Sequence, residues 1–223
     1  HTASLPFGAY AALVGFSYVL GSVPTAVWVS KLVFRADVRQ HGSGNAGSTN
    51  VYRVFGWKAG LPVQLIDIGK GSLATALPLF FHQLSGTAQP GAIPLQLVML
   101  ACGIAAVLGH VYTLFAGFKG GKGVNTILGM MLAIAPLASA VGVAVFVILL
   151  VSFRMVSLAS MLAVSSLPLY LVLRTILTGT GLDPVLFPLG LLLSGLVIYT
   201  HRGNIQRIRR GEESKVPLFG KSA

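Results

Sequence analysis

Long apolar runs fill most of this 223-residue sequence and constrain its fold more than any other feature. A helix needs about 20 apolar residues to cross the hydrocarbon core of a bilayer. Only 9% of the residues are charged, whereas an average soluble domain has about 25%. A water-soluble fold of this composition would expose more apolar surface than water tolerates. The runs predicted to span the membrane are residues 7–31, 57–81, 94–115, 124–153, 157–175 and 184–199.

The fourth run, residues 124–153, is too long for one ordinary span. Pro136 stands near its middle, and proline breaks or kinks a helix, so we predict two short helices, the first ending near Ala135. The fold class is then an all-α integral membrane protein with seven transmembrane helices, some of them short. Six spans remain the alternative if this run forms one long tilted helix.

Charge supplies the orientation, since the chain has 16 Lys and Arg against 5 Asp and Glu. With seven spans, Arg174 is the single basic residue assigned to one face. The basic loops all fall on the other face and mark it as cytoplasmic. We therefore predict an external N-terminus and a cytoplasmic C-terminus. The basic residues on the predicted cytoplasmic face are Lys31, Arg35, Arg39, Arg53, Lys58, Lys119, Lys122, Arg154, Arg202, Arg207, Arg209, Arg210, Lys215 and Lys221.

A basic soluble protein would suggest nucleic acid as the partner. In this apolar chain, lipid headgroups and phosphorylated substrates are the expected partners, and no DNA-binding motif appears. Residues 5–223 are predicted to form a single membrane-embedded domain, and residues 1–4 are interpreted as a remnant of an added sequence. No cleavable signal is evident. Cys102 is expected to be a small packed residue, and residues 82–91 a plain external connection.

The first polar segment is rich in glycine, asparagine and hydroxyl residues. Glycine lets backbone N–H groups approach an anion closely, and an arginine fork suits phosphate oxygens. The segment predicts a phosphate site, the alternative being a flexible connection. His41, which opens it, is placed among supporting residues. The candidates are Gly42, Ser43, Gly44, Asn45, Asn50 and Arg53, with Ser48 and Thr49 as further hydroxyl donors.

The second polar segment places two lysines in a glycine run just before a helix that begins at Val124, and helix N-termini attract anions. It lacks the Walker A pattern. The alternative is a basic anchor on the cytoplasmic side. His110, which closes the preceding span, is either a phosphate contact or an interfacial histidine. The candidates in the segment are Lys119, Gly120, Gly121, Lys122 and Gly123.

The third polar segment follows the last span and is basic, which is also typical of a lipid-headgroup anchor. His201 and Asn204 lie three residues apart and share a helix face. Glu213 is expected to order this segment through ion pairing. Ser157 and Ser160 follow Arg154 and are either site residues or helix N-caps.

Asp67 and Lys70 lie three residues apart in an apolar run, where ionisable residues are costly and tend to pair. A structural ion pair and a substrate role both remain open. No metal-ligand spacing, no Gly-x-Ser-x-Gly elbow and no carboxylate–histidine pair is evident. Two phosphate-type loops in a membrane protein therefore predict a phosphorylated substrate that meets a lipidic one.

These segments resemble the three cytoplasmic motifs of the bacterial acyl-phosphate-dependent glycerol-3-phosphate acyltransferases. The resemblance rests on residues 42–56, on 108–112 with 118–124, and on 201–207 with 211–213, supported by 21–24 and by the Asp67–Lys70 spacing. The chain departs from the usual family pattern at Ala46, Ser48, Thr113, Asn125 and Gly203.

The resemblance implies a seven-helix enzyme of the bacterial inner membrane with its active site facing the cytoplasm. It would move a fatty acyl group from acyl phosphate to the 1-hydroxyl of sn-glycerol 3-phosphate. The products would be lysophosphatidate and inorganic phosphate, in the first acylation step of phospholipid biosynthesis. No metal, no organic cofactor and no obligate protein partner is implied.

Acyl phosphate is already activated, so orientation and charge stabilisation are expected to provide most of the catalysis. The hydroxyl proton goes either to a substrate phosphate oxygen or to His201. Lys119 and His110 are second choices for holding phosphate. The residues predicted to carry the reaction are Ser43, Arg53, Lys122, Ser160, His201 and Asn204.

Two other function classes remain open at this stage. A transporter or channel for a phosphorylated metabolite would suit Asp67, Lys70 and the break at Pro136, but its polar segments would have to serve both faces. A scaffold protein would leave the glycine-rich segments unexplained.

Overall fold

The computed structural model describes residues 7–85 and 93–216, and every regular element within these ranges is helical. The predictions for residues 1–4 and Lys221, and most of the predicted loop 82–91, lie outside the described residues. The chain divides into two compact units, His1–Ile134 and Ala135–Ala223, which we call unit 1 and unit 2.

Unit 1 contains six α-helices and two short 3₁₀ turns in its described part. Helix α4 lies at its centre and packs against α1, α2, α3, α5 and α6, while α1 also packs along α5. The helices are α1 Phe7–Gly21, α2 Thr25–Phe34, α3 Ser48–Phe55, α4 Trp57–Ser85, α5 Leu95–Val111 and α6 Val124–Ile134, and the 3₁₀ turns are Val38–Gln40 and Leu114–Ala116.

The first predicted span is broken. The predicted span over 7–31 corresponds to one apolar segment, Gly8–Phe34, but its helix is interrupted, since α1 ends at Gly21 and α2 begins at Thr25. Pro24 is the cause, because a proline ring clashes with the carbonyl four residues earlier and supplies no N–H. The break exposes carbonyl groups inside an apolar unit. The carbonyl of Val23 accepts a hydrogen bond of 2.9 Å from Lys70 Nζ, and that of Ser22 accepts one from the Thr113 hydroxyl.

A small apolar core supports the polar segment between α2 and α4. Its buried members come from α2, the first 3₁₀ turn, α3 and α4, and Phe55 and Val29 pack against it. Helix α3 is amphipathic and short, and this core holds its apolar side against α4. The buried members are Ala26, Val38, Val51, Ala59 and Val63.

Unit 2 contains four α-helices between residues 135 and 216, and α8 packs against both α7 and α9. The break predicted at Pro136 is confirmed, because α6 ends at Ile134 and the next helix begins at Pro136. The other predicted spans agree with helices to within a few residues, and the second span continues beyond His82. The helices are α7 Pro136–Phe153, α8 Val156–Thr178, α9 Leu186–Thr200 and α10 Arg202–Arg209.

Four segments within the described residues are long and apolar enough to cross a membrane, counting α1 and α2 as one segment. Two shorter apolar helices, α6 and α9, accompany them. Helix α4 is also long, but it carries buried Asp67 and Lys70. The four segments are Gly8–Phe34, Leu95–Ala116, Pro136–Phe153 and Val156–Thr178.

Helices α4 and α6 approach each other through glycine. A Cβ added to Gly71 of α4 would overlap the Thr126 carbonyl, and one added to Gly129 of α6 would overlap the Ile68 carbonyl. Ser72 Oγ also donates to the Gly129 carbonyl at 2.8 Å. Small residues allow such close backbone contact between apolar helices.

We expect Gly71→Ala to destabilise the protein by about 1–3 kcal/mol, because the added methyl group forces α4 away from α6. Thermal unfolding in detergent micelles measures the effect. Gly69→Ala is the matched control on the same helix, since a Cβ there meets no atom within 4 Å. Its midpoint should stay the same or rise slightly, as alanine favours a helix over glycine. Equal midpoints for the two variants would contradict the close packing.

Candidate functional site

The first polar segment is organised by the buried side chain of Asn50. Its Oδ1 accepts a hydrogen bond of 2.8 Å from the Ser43 N–H, and its Nδ2 donates to the carbonyls of Val38 and His41, each at 2.9 Å. Both amide hydrogens are therefore engaged with the backbone. That Asn50 also contacts phosphate stays a prediction. In this arrangement Asn50 holds the loop, here called loop 1 (residues 41–50), in shape.

Loop 1 presents its predicted phosphate contacts at the surface. Gly42 has a φ of +60°, and a Cβ there would also overlap the Asn50 side chain, so glycine is required. Ser43 and Gly44 are exposed, and Asn45 is partly exposed. Arg53, on α3, is exposed and makes no ion pair with any described carboxylate. A serine hydroxyl and an unpaired guanidinium are suited to binding phosphate oxygens.

The second polar segment, here called loop 2 (residues 118–123), folds back on the end of α5. The N–H of Gly120 donates to the Val111 carbonyl and that of Gly121 to the His110 carbonyl, each at 3.1 Å. These bonds satisfy carbonyls that a helix end leaves without partners. Both N–H groups thus have partners within the protein, and phosphate binding by Gly120 and Gly121 stays a prediction.

Glycine is required in loop 2 for close packing. A Cβ on Gly120 would overlap the His110 carbonyl, and one on Gly121 would overlap Nε2 of the His110 ring. Lys119 is exposed and Lys122 is partly exposed. Gly123 precedes α6 with a φ of +84°, and the first N–H groups of that helix have no partner within the helix.

Loops 1 and 2 lie against each other. The carbonyl of Ala46 is 3.1 Å from the position that a Cβ on Gly121 would take. Asn125 Nδ2, in the first turn of α6, donates to Ser48 Oγ, in the first turn of α3, at 2.9 Å. The two segments that the sequence predicts as phosphate sites thus form one surface of unit 1.

A second link joins the residues that precede each loop. The Arg39 guanidinium donates from Nη1 to the Ala116 carbonyl at 2.9 Å, and its Nη2 lies 2.7 Å from Asp37 Oδ2. The hydrogen bonds from Arg39, with a further contribution from Lys31, hold the pKa of the Asp37 carboxyl well below its usual range, although burial acts against them. Neither Asp37 nor Arg39 is among the predicted site residues, and Arg39 was counted only as a basic residue of the cytoplasmic face.

Three ionisable side chains are buried below loop 2. Asp67 Oδ1 lies 2.8 Å from Lys70 Nζ and 3.6 Å from His110 Nδ1. Of the two alternatives left open for Asp67 and Lys70, the ion pair is present. The sequence did not reveal the approach of Asp67 to His110, because they belong to different helices. At 3.6 Å this contact is too long for a hydrogen bond.

The polar centre of unit 2 is the Glu213 carboxylate. Its Oε1 accepts from Ser157 Oγ and from Asn204 Nδ2, each at 2.7 Å, and its Oε2 accepts from Arg207 Nε at 2.9 Å. Burial raises the pKa of this carboxyl, but the three hydrogen bonds and the neighbouring guanidinium outweigh burial. The pKa of Glu213 therefore lies below its ordinary value of 4.5. Glu213 orders the third polar segment, as expected.

Ser157 and Ser160 are not helix N-caps, because α8 begins at Val156 after Met155. Ser157 donates its hydroxyl hydrogen to Glu213, and its contact with phosphate stays a prediction. Ser160 is buried one turn further along the same face. His201 is buried between α9 and α10, and its Nδ1 lies 2.8 Å from the Val197 carbonyl. A carbonyl only accepts, so this bond requires the proton on Nδ1.

Within unit 1 the structure brings loop 1 against loop 2 where Ala46 meets Gly121. Within unit 2 it joins Ser157 and Asn204 through Glu213. His41 is exposed at the start of loop 1 and contributes its carbonyl to the Asn50 network. No three His, Cys, Asp or Glu side chains in residues 7–85 and 93–216 are grouped so that they hold a metal ion.

The fold and these polar surfaces define an all-helical integral membrane protein with a surface suited to phosphate groups. Comparison with known proteins identifies the family, whose model, described as Glycerol-3-phosphate acyltransferase, matches residues 11–211. A glycerol-3-phosphate acyltransferase of Salinibacter ruber is 44% identical over 207 residues, covering 91% of this chain and 90% of the relative. One of Chlorobium luteolum is 42% identical, covering 95% and 98%.

Solved structures agree. The crystal structure of PlsY, an integral membrane glycerol 3-phosphate acyltransferase, in its glycerol 3-phosphate form has a TM-score of 0.81 and 34% identity. It covers 94% of this chain and 96% of that chain. The lysophosphatidic acid form has a TM-score of 0.77 and 33% identity, with the same coverage. The chain therefore belongs to the glycerol-3-phosphate acyltransferase family, as its motifs predict.

We expect Glu213→Gln to lower stability at pH 7 by about 1–3 kcal/mol, since it removes the charge that three donors share. A carboxyl whose folded pKa lies below its ordinary value stabilises the fold above that ordinary value, and the benefit is lost as pH falls through the folded pKa. The stability difference between wild type and Glu213→Gln, measured by unfolding in detergent, should therefore shrink from pH 7 to below pH 4.5.

Glu212→Gln is the matched control for this prediction. The neighbouring glutamate is exposed and accepts no side-chain hydrogen bond from the described residues, so its stability should follow wild type at every pH. A Glu213→Gln difference that persists unchanged at acid pH would show that the carboxylate charge is not what joins α8 to α10.

Proposed function

We propose that this protein transfers a fatty acyl group from acyl phosphate to the 1-hydroxyl of sn-glycerol 3-phosphate, releasing lysophosphatidate and inorganic phosphate. Family membership supports glycerol 3-phosphate as acceptor. The neighbouring PlsY structures, named for glycerol 3-phosphate and lysophosphatidic acid, carry the acceptor and the product of such a transfer. The choice of acyl phosphate as donor follows from the motif resemblance and from the chemistry of the two loops.

The observation that carries the proposal is the contact between loops 1 and 2 at Ala46 and Gly121. Each loop supplies exposed groups that bind phosphate, Ser43 in loop 1 and Lys119 in loop 2, and Arg53 follows loop 1 on α3. Both proposed substrates carry a phosphate group. Two adjoining anion-binding loops suit a reaction in which both substrates carry phosphate. They suit less well a reaction whose acyl donor has no exposed phosphate at its reacting end.

The reaction needs no covalent enzyme intermediate. The glycerol 3-phosphate hydroxyl oxygen attacks the acyl carbonyl carbon, a new C–O ester bond forms, and the C–O bond to phosphate breaks. Phosphate leaves with the bonding electrons. Positive charge from Arg53, Lys119 and Lys122 would stabilise the negative charge that builds up on the carbonyl and the leaving phosphate, and the loops would supply orientation.

The hydroxyl proton has two candidate acceptors. A phosphate oxygen of a bound substrate takes it in the substrate-assisted route. His201 takes it in the other, and because its Nδ1 carries the proton shared with Val197, Nε2 is the nitrogen whose lone pair accepts. We place Asn204 and Ser160 with His201 as substrate contacts, because both are buried polar groups. Asn204 lies at the same end of unit 2 as Glu213, and Ser160 lies on the face of α8 that carries Ser157.

The proposed topology has seven spans, in which α1 with α2 forms one broken span and α4 to α9 form the other six. The N-terminus lies outside and the C-terminus in the cytoplasm of a bacterial inner membrane, because basic loops are retained on the cytoplasmic side. We propose that both units belong to one acyltransferase domain, residues 5–223, since the family match extends across both. Membrane lipids surround it, and the reaction uses no cofactor.

The purified protein in lipid or detergent should release inorganic phosphate when given acyl phosphate and glycerol 3-phosphate together. Release should depend on both substrates, and acyl-CoA in place of acyl phosphate should give no lysophosphatidate. Phosphate release and product by mass spectrometry provide the measurements. Folded protein that releases no phosphate would contradict the proposal, and uptake of glycerol 3-phosphate into sealed vesicles without chemistry would indicate a transporter.

His201→Ala separates the two proton routes. If a substrate phosphate is the base, the variant should keep measurable turnover at saturating substrate, with a loss below the roughly 100- to 10,000-fold that removal of a general base causes. Single-turnover rates with both substrates saturating measure it. Complete loss of turnover with unchanged unfolding and unchanged glycerol 3-phosphate binding would identify His201 as the base.

A further inference from the structure

Two links outside the predicted phosphate contacts join the segments that carry loops 1 and 2. One link lies before each loop, where Arg39 of the first 3₁₀ turn bonds to Ala116 of the second. The other lies at the opposite ends of the loops, where Asn125 of α6 bonds to Ser48 of α3. We call these two links the loop brace.

Arg39 is held in position before it reaches the second segment. Asp37 Oδ1 accepts from the Arg39 backbone N–H and from Nε, each at 3.0 Å, and Oδ2 accepts from Nη2 at 2.7 Å. This two-pronged contact leaves Nη1 aimed at the Ala116 carbonyl at 2.9 Å. A planar guanidinium makes both sets of contacts at once, which a lysine ammonium does not.

The Asn125 link is formed between two helix starts. Ser48 is buried in the first turn of α3, and Asn125 follows Val124 at the start of α6. Helix α3 begins within the last residues of loop 1, and α6 begins directly after loop 2. The hydrogen bond of 2.9 Å between these side chains therefore sets how far apart the two helix N-termini stand.

The brace acts on loops that already touch. Between its two ends, the Ala46 carbonyl packs against Gly121. Loop 1 is held internally by Asn50, and loop 2 by the carbonyls at the end of α5. Because these bonds fix the shape of each loop, the motion left to them is a displacement of one loop relative to the other. The loop brace restrains that displacement at both ends of the loops.

We propose that Arg39, held by Asp37, and Asn125 are positioning residues that set the spacing of the two phosphate-binding loops. This inference rests on the proposed function, because the loops are taken to bind the phosphate groups of the two substrates. Neither side chain needs to touch a substrate. A loop displaced by about 1 Å is enough to cost roughly 100-fold in rate when reacting groups must be aligned.

The test compares Arg39→Gln, Arg39→Lys and Asn125→Ala with Arg35→Gln in steady-state phosphate release, varying glycerol 3-phosphate at saturating acyl phosphate. Arg35 is an exposed cation of the same cytoplasmic segment with no bond to another described side chain, so Arg35→Gln controls for lost charge. We expect the KM for glycerol 3-phosphate to rise about tenfold and kcat/KM to fall about 10- to 100-fold in Arg39→Gln and Asn125→Ala.

Arg39→Lys distinguishes geometry from charge. It should be nearly as impaired as Arg39→Gln, since it keeps the charge but loses the fork, whereas Arg35→Gln should match wild type. A purely structural role would reduce the fraction of folded enzyme, which lowers apparent kcat and leaves KM unchanged. Unfolding in detergent is measured for each variant, and Asn125→Ala, which removes one hydrogen bond, carries the test if Arg39→Gln does not fold.

Three results would overturn the inference while leaving the proposed function intact. These are an unchanged KM in Arg39→Gln and Asn125→Ala, full rescue by Arg39→Lys, or an equal loss in Arg35→Gln. A wild-type protein that releases no phosphate would instead contradict the proposed function.

Discussion

Lys70 brings a positive charge into the apolar interior of unit 1, and the surrounding structure compensates for it. Asp67 lies 2.8 Å from its ammonium group, and the Val23 carbonyl accepts a hydrogen bond from it. Inside a membrane protein, charges and backbone groups without partners are costly, so they are satisfied within the protein. Lys70 satisfies one group of each kind. It pairs with a carboxylate and occupies a carbonyl that the helix break at Pro24 leaves without its usual partner.

The same requirement leads from the interior to the surface. Thr113, just after α5, donates to the other exposed carbonyl of the break, at Ser22. The last carbonyls of α5 are in turn occupied by Gly120 and Gly121. Loop 2 is therefore placed by the need to satisfy a helix end, and the His110 ring packs between it and Asp67. Loop 1 adjoins it because α3 and α6 start side by side and Asn125 bonds to Ser48.

Individual residues show where prediction from sequence succeeds. The break at Pro136 and the presence of helices in each apolar run follow from local chemistry, because proline lacks an N–H and apolar runs form helices in a membrane. Pro24 carries the same local signal, but the run that contains it has the length of one ordinary span, so one span was predicted there without a break. The Asp67–Lys70 pair was also predictable, since residues three apart share a helix face. The motifs predicted the family before any fold was known.

The sequence by itself determined the apolar helices, the three polar segments and the residue types suited to phosphate. Only the tertiary structure decided which of those groups bond within the protein. Asn50, Ser157 and the N–H groups of Gly120 and Gly121 all have the right chemistry for an anion, yet each already bonds within the protein. The physical reason is that a hydrogen-bond donor serves an acceptor within reach, and here that acceptor belongs to a residue at least nine positions away, which comes into reach only when the chain folds. Arg39 and Asn125 gained their places in the same way.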